Sequence, residues 1–325
     1  LSPSPTHSSV KTMNKKIYNL GLEDFAKLLG TTVSDIPANC RKIIRDSDFR
    51  YYKIPPKEKL VLMKEISEKI KNNLFSVAGK ESKKIWQKKW SDRFHNFISQ
   101  KNNLEALTPQ YYYNHKRLQR LGKDFIEPVD VNFELNWSRV YKYWLFGKYL
   151  KNVNHIYEFG CGTGINIPIL TDLFPKKELY CSDWVLSSKK IADLLAKKYG
   201  WKLSGFVFDM FNPNFNVKIK KKSAFLTFSS LEQLGQDYKA FLKFAMENKI
   251  DLFLTVDSIE ELYGKHSSLD RLAVKFIKKR NYLSNYLNYL RRLEKKGLIN
   301  IIKTQRVPFG NLYHEAYSYV VWKPL

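Results

Sequence analysis

The sequence predicts an α/β fold: a doubly wound, mostly parallel sheet ending in a C-terminal antiparallel hairpin, preceded by a mainly α-helical domain. Three observations predict it. Up to about residue 150 the apolar residues recur at helical spacing. From Ile156 onward short β-rich runs alternate with helical stretches. The chain then closes with a long helical pattern and two strands. Strand–helix alternation with short links argues for parallel strands covered on both faces, because each crossover returns the chain over the sheet. The resulting division is a Ser/Pro-rich leader or appended remnant at 1–12, a helical domain at 13–130 and an α/β domain at 131–325.

The elements follow in order. Leu22–Leu29 reads as a helix stopped by Gly30, a residue free to take the left-handed closing conformation. Asp35-Ile-Pro37 reads as a helix start. Residues 57–77 carry Leu60, Met63, Ile66, Ile70, Leu74 and Val77 at a period of three to four, predicting a helix that ends near Gly79. Trp86, Trp90, Phe94 and Phe97 repeat that spacing in another helix and read as core packing. Tyr111–Tyr113 and 132–150 are read as mostly helical. Strands are expected at 156–159, 179–181, 205–208, 224–228 and 252–256, with helices at 164–173, 187–199 and 238–248. An insertion at 259–280 precedes a helix at 282–296 stopped by Gly297, then strands at 299–304 and 316–322.

Composition bounds the function. The 325 residues hold 56 Lys+Arg against 31 Asp+Glu, a formal charge of +25. Such a balance invites a polyanion partner. However, the halves 1–150 and 151–325 carry +13 and +12, and Lys supplies 44 of the 56 cations. Specific phosphate and base readout leans on Arg forks. An even, Lys-dominated excess therefore reads as solvated surface. Three Cys exclude a disulfide scaffold and suggest a reducing, cytoplasmic setting. No apolar run approaches the ~18 residues of a membrane span.

The first β-rich run leads into Glu158-Phe-Gly160-Cys-Gly162-Thr-Gly164. Glycines at a strand-to-helix turn let a ligand reach the backbone, because no Cβ intervenes. The spacing departs from the dinucleotide fingerprint G-x-G-x-x-G, and no Lys-Ser/Thr follows, so the turn is not a P-loop. Asp183 closes the second strand, where a carboxylate can accept both hydroxyls of a ribose. Asp209, followed by Met210, closes the third, which suits an adenine amine and ring.

This set of residues resembles the class I S-adenosylmethionine-dependent methyltransferases over about residues 130–325, the terminal hairpin included. The resemblance implies a Rossmann-like sheet and S-adenosyl-L-methionine as cofactor. The family's first motif falls on Glu158, Gly160, Gly162 and Gly164, its ribose acid on Asp183 and its adenine-side acid on Asp209. Met210 and Ser229 join that cofactor set. Trp184 either stacks on adenine or seals the core.

The fourth strand leads to Ser230-Leu-Glu232-Gln233-Leu234. It lacks the Pro-Pro motif of amino-methylating nucleic-acid enzymes and resembles the Ser-Leu-Glu-His-Leu of small-molecule methyltransferases, with Gln233 where His would stand. Glu232 becomes the first candidate base, followed by His314 in the last turn and His266 in the insertion. Arg280, Tyr282 and Tyr313 are candidate acceptor-binding residues. Asp257, Glu260 and Glu261 lack the His/Cys company of a metal site, so no metal is expected. The implied reaction is methyl transfer to a small-molecule, saccharide or peptide-like biosynthetic intermediate, with O-methylation favoured; the basic charge adds an anionic acceptor as a secondary expectation. The alternative is an RNA or DNA methyltransferase using the basic surface. The helical domain is expected to cover the pocket and exclude water.

Overall fold

The computed structural model describes residues 16–109, 112 and 118–325. The expectations for 1–12, Tyr111 and Tyr113 lie outside the described residues.

The α/β part is a seven-stranded sheet. Its strands are β5 (His155–Phe159), β6 (Glu178–Asp183), β7 (Leu203–Val207), β8 (Ser223–Phe228), β9 (Leu252–Val256), β10 (Ile299–Gln305) and β12 (Tyr319–Pro324). Their spatial order is β10-β12-β9-β8-β5-β6-β7. The pairs β5–β6, β6–β7, β5–β8 and β8–β9 are parallel, whereas β12 runs antiparallel to both β9 and β10. The predicted parallel sheet and closing hairpin are therefore both present. The covering helices are α6 (Ile167–Leu173), α7 (Leu186–Tyr199), α8 (Lys239–Glu247), α9 (Ser268–Lys279) and α10 (Tyr286–Lys295). Central strands read as unbroken apolar runs because both of their faces are buried: Phe225, Leu226, Phe253 and Leu254 have no exposure.

Strand order reverses between β5 and β8. One crossover leaves β5 towards β6, and the one that leaves β7 returns to the other side of β5 at β8, so their links part and open a crevice at the carboxyl ends.

The N-terminal part holds α1 (Leu22–Leu29), α2 (Ala38–Asp46), α3 (Pro56–Lys71) and α4 (Lys83–Ser99), and also strands that periodicity did not reveal. These are β1 (Ile17–Asn19), β2 (Arg50–Lys53), β3 (Gln119–Leu121) and β4 (Asp124–Pro128). They form an antiparallel sheet in the order β1-β2-β4-β3-β11, where β11 (Phe309–Asn311) comes from the far end of the chain. Strands of three to five residues are too short for alternation to register, and their pairing is long-range. A boundary near residue 130 thus divides the sequence, while the sheet crosses it.

Helix α5 (Phe133–Tyr149) joins the two sheets. Ten of its seventeen residues are buried, so its apolar pattern runs nearly all round. Trp137 stacks on Phe309 at 4.1 Å, and the Tyr141 hydroxyl donates to the Tyr317 carbonyl at 2.6 Å. On β3, the nearly inaccessible Arg120 lies 3.6 Å from Asp270. Arg306 grips both Asp270 and Glu315 at 2.7 Å.

Two helix ends differ from expectation. The segment predicted to run to Gly79 stops at Lys71, because Asn73 takes the left-handed conformation (φ 52°) and closes the helix early. The helix expected from Tyr282 begins at Tyr286. Asn281 and Asn285 both have positive φ, so the chain turns twice before the helix starts. Among the described residues no helix is long and apolar enough to cross a membrane.

Candidate functional site

A half-open cavity lies at the carboxyl ends of β5, β6, β7 and β8, where the strand order reverses. Its wall includes Gly160 after β5, Asp183 and Trp184 at the end of β6, Phe208, Met210 and Phe211 after β7, and Ser229, Ser230, Gln233 and Leu234 after β8. Trp86 and Trp90 of α4 complete it.

The glycine turn is built for close approach. Gly160 has φ 73°, and a Cβ there would sit 2.4 Å from the Ser230 Cβ. Gly162 has φ 54°, and its Cβ would meet the Trp90 ring at 2.9 Å. Either site would strain any other residue. The Gly160 and Cys161 N–H groups donate to the Ser182 carbonyl, and Gly164 N–H donates back to Cys161, closing the turn. Ser230 Oγ donates to the Phe159 carbonyl at 2.8 Å, tying the β8 turn to the β5 turn. Ser229 itself takes φ 51°, a strained conformation for a residue with a Cβ, beside the cavity.

Glu158 points into the floor beneath this turn. It is buried; one oxygen accepts from Asn166 Nδ2 at 2.7 Å and the other, Oε2, has no hydrogen-bond partner. Burial pushes its carboxyl up to about 7, against the opposing pull of Asn166 and of Lys142. Burial in turn lowers Lys142 to about 8. Asp183 accepts from the Gly162 N–H at 3.0 Å and from the Val185 N–H at 3.1 Å. Burial raises it to about 6, because desolvation outweighs those N–H dipoles.

The adenine-side pair separates. Met210 lines the cavity, whereas Asp209 lies two residues beyond the end of β7. Asp209 accepts from the Phe211 N–H at 2.9 Å and faces the Lys83 ammonium of α4 at 4.0 Å. Trp184 lines the cavity and stacks on Phe211 at 5.3 Å, with Lys83 above its ring. Of the nine cofactor residues read from the sequence, the cavity wall holds Gly160, Asp183, Trp184, Met210 and Ser229. Glu158, Gly162, Gly164 and Asp209 support it from behind or beside.

The acceptor-side candidates fare differently. Glu232 is buried, and it is Gln233 that lines the cavity. Glu232 accepts from Ser258 Oγ at 2.6 Å, and its backbone N–H donates to Asp257 at 3.3 Å. Burial raises Glu232; burial and then the Glu232 charge hold Asp257 well above the usual carboxylate range. His266 is an exposed residue in the loop before α9 and takes no part in the cavity wall. His314 is buried off the wall, stacked on Phe276 at 5.2 Å and bonded to Asn311 and to the Glu315 carbonyl. Tyr313 packs on Phe75 and Phe276. For His314 and Tyr313 the aromatic packing of α9 and the last turn, absent from local sequence, decides the outcome. Glu260 and Glu261 accept from Asn285 and Asn288 N–H groups, so they hold the start of α10.

Sequence reasoning missed Trp86 and Trp90 as wall residues. They stack on each other at 5.2 Å and remain only half-buried, whereas Phe97 on the same helix is fully buried. The i, i+4 aromatic stripe was visible, but which part of it meets the core depends on where α4 docks. Phe208, Phe211, Ser230, Gln233 and Leu234 were also missed as wall residues, although each neighbours one that was named.

No family model matches the chain, and no curated protein does. Solved structures match at low identity. The 16S rRNA methylase ArmA is 13% identical over 73% of this chain and 98% of its own, with a TM-score of 0.43. The pyocyanin biosynthetic protein PhzM is 12% identical over 60% of this chain and 57% of its own, at 0.43. The mitomycin 7-O-methyltransferase MmcR is 12% identical over 60% of this chain at 0.40, and the match spans only 56% of its length. At these scores the likenesses carry no argument about activity, which rests on the site alone.

Proposed function

We propose that this chain is an S-adenosylmethionine-dependent methyltransferase acting on a small-molecule, saccharide or peptide-like acceptor, with O-methylation favoured. One observation carries the reading. Four successive strand ends bring Gly160, Asp183, Met210 and Ser229 to a single cavity at the switch point of the sheet. The fit to the cofactor is supported by the buried Glu158 Oε2, which lacks a donor, and by a glycine turn that a Cβ would block. When bound, S-adenosylmethionine supplies a methyl group already activated on its sulfonium.

The chain's own residues would do the rest. Gly160 and Gly162 keep the turn open to close approach. Asp183 and Asp209 offer carboxylate lone pairs beside it, and Met210 with Trp184 provides apolar faces. Trp86 and Trp90 exclude water, which strengthens every polar contact within. Positioning an acceptor in line is worth up to roughly 7–11 kcal/mol of barrier. Glu232 is the carboxyl we assign to accept the acceptor's proton. Burial raises its basicity, and Gln233 at the wall, within 3.5 Å of it, is the side chain that stands between it and the cavity.

Calorimetry with S-adenosylhomocysteine tests the reading. Saturable binding is expected for the wild type, and its absence would sink the proposal. The Glu232→Gln variant should keep that binding while losing about 10²–10⁴-fold in transfer to any acceptor the wild type methylates. Undiminished transfer would remove Glu232 as the base.

A further inference from the structure

Two cations, Arg280 and Lys89, stand behind the cavity wall, and among the described residues neither makes an ion pair. Arg280 follows α9, where the chain turns towards α10. Its Nη1 donates to Ser76 Oγ at 2.8 Å and its Nη2 to the Tyr282 hydroxyl at 2.7 Å. Its Nε is buried and has no hydrogen-bond partner. Lys89 of α4 holds its ammonium 4.6 Å over the Trp86 ring, close enough to Arg280 for the two charges to repel. The backbone fixes the arrangement: Ala78 N–H donates to the Arg280 carbonyl at 2.7 Å, and Asn281 Nδ2 to the Ala78 carbonyl at 3.0 Å.

Each cation reaches the cavity through one wall residue. Arg280 is tied to Tyr282, whose hydroxyl meets the Gln233 side chain. Lys89 lies on Trp86. Both Gln233 and Trp86 line the cavity. Glu232 is close enough to feel Arg280, but its oxygens are engaged by Ser258 and Gln233. Among the described residues neither Arg280 nor Lys89 makes an ion pair. An arginine fork with a vacant buried N–H, beside a second cation, lacks an oxyanion.

We propose that Arg280 and Lys89 form an oxyanion subsite at the acceptor end of the cavity, which selects acceptors carrying a phosphate or carboxylate group. This rests on the methyl-transfer reading for the word acceptor, but not for the anion binding itself. The subsite would orient the acceptor by its acidic end and leave a neutral hydroxyl to face the methyl donor.

The test is calorimetry of the full chain with inorganic phosphate and, separately, acetate, each with and without saturating S-adenosylhomocysteine. Saturable binding of either anion is expected, and the stronger one names the acidic group. Lys89→Gln and Arg280→Gln should each weaken that binding at least tenfold while leaving S-adenosylhomocysteine affinity unchanged. Lys89 is exposed, so its variant should fold as the wild type does. Lys243→Gln, on the outer face of α8, should change nothing. No saturable binding, undiminished binding by Lys89→Gln, or equal weakening by Lys243→Gln would each overturn the subsite. Anion binding without S-adenosylhomocysteine binding would instead overturn the methyl-transfer reading and leave the subsite standing.

Discussion

The two ends of β5 and β6 carry the same kinds of residue and treat them oppositely. At the amino ends Glu178 is partly exposed and accepts from the Lys220 ammonium and the Tyr180 hydroxyl, both at 2.6 Å, with His155 at 3.2 Å. The Lys220 ammonium, then Tyr180, hold its carboxyl down at about 2. At the carboxyl ends Glu158 and Asp183 are buried beside each other and neither makes an ion pair among the described residues; burial lifts them to about 7 and about 6. The amino end has spent its carboxylate on a surface pair. The carboxyl end buries both carboxylates and leaves Glu158 Oε2 without a donor, a desolvation cost that a hydrogen-bond donor on a ligand would offset.

The strongest way to break this contrast is to fill the turn. Gly160→Ala forces a Cβ to 2.4 Å from Ser230 in a left-handed conformation. Loss of S-adenosylhomocysteine binding is expected, with destabilisation of about 1–3 kcal/mol or more by denaturant titration. Wild-type binding would show that the turn does not face the ligand.

Asp183→Ala should come next. It strands the buried Gly162 and Val185 N–H groups, worth about 1–3 kcal/mol each when left unpaired. Calorimetry should show at least a tenfold loss of S-adenosylhomocysteine affinity. Retained affinity would remove Asp183 from the ligand contacts.

Glu158→Gln sharpens the comparison by separating stability from binding. The folded carboxyl lies at about 7 against an ordinary value of 4.5, so the folded state holds its proton longer than the unfolded one. Stability therefore falls as pH rises between about 4.5 and 7, and the penalty is complete above 7. The variant, which cannot ionise, should melt higher than wild type at pH 8, by about 1–3 kcal/mol. It should also lose the rise in S-adenosylhomocysteine affinity that an ionising Glu158 gives the wild type up to about pH 7. A lower melting temperature at pH 8 would contradict this account.

Glu178→Gln should do least. The depressed carboxyl contributes stability above about pH 4.5 that is lost as pH falls towards 2. The pair is solvent-exposed, so about 0–1 kcal/mol is expected, shrinking with salt and leaving ligand binding untouched.

What could be read from the sequence was what is local. The Glu158–Gly164 turn, the acids at 183 and 209, and the strand–helix alternation each depend on neighbours within one element, and the strands expected in the large sheet sit within two residues of where periodicity put them, except the last, which starts three residues later at Tyr319. The closing hairpin was legible for the same reason. Helix ends were less so, because Asn73 and Asn285 took a left-handed conformation that Gly more often takes.

Tertiary structure decided everything that depends on docking. It brought Phe309–Asn311 to the N-terminal sheet, set Trp86 and Trp90 in the cavity wall and not in the core, and buried His314 and Tyr313 among the aromatics of α9. It also turned Gln233, not Glu232, towards the cavity. Chain periodicity fixes which residues share a face, whereas the partner of that face is chosen by packing between segments far apart in the chain. The sequence by itself therefore determined the part of the cavity wall that lies on consecutive strand ends, Gly160, Asp183, Met210 and Ser229. Only the assembled fold decided the rest of the wall, where α4 docks Trp86 and Trp90 beside the β8 turn.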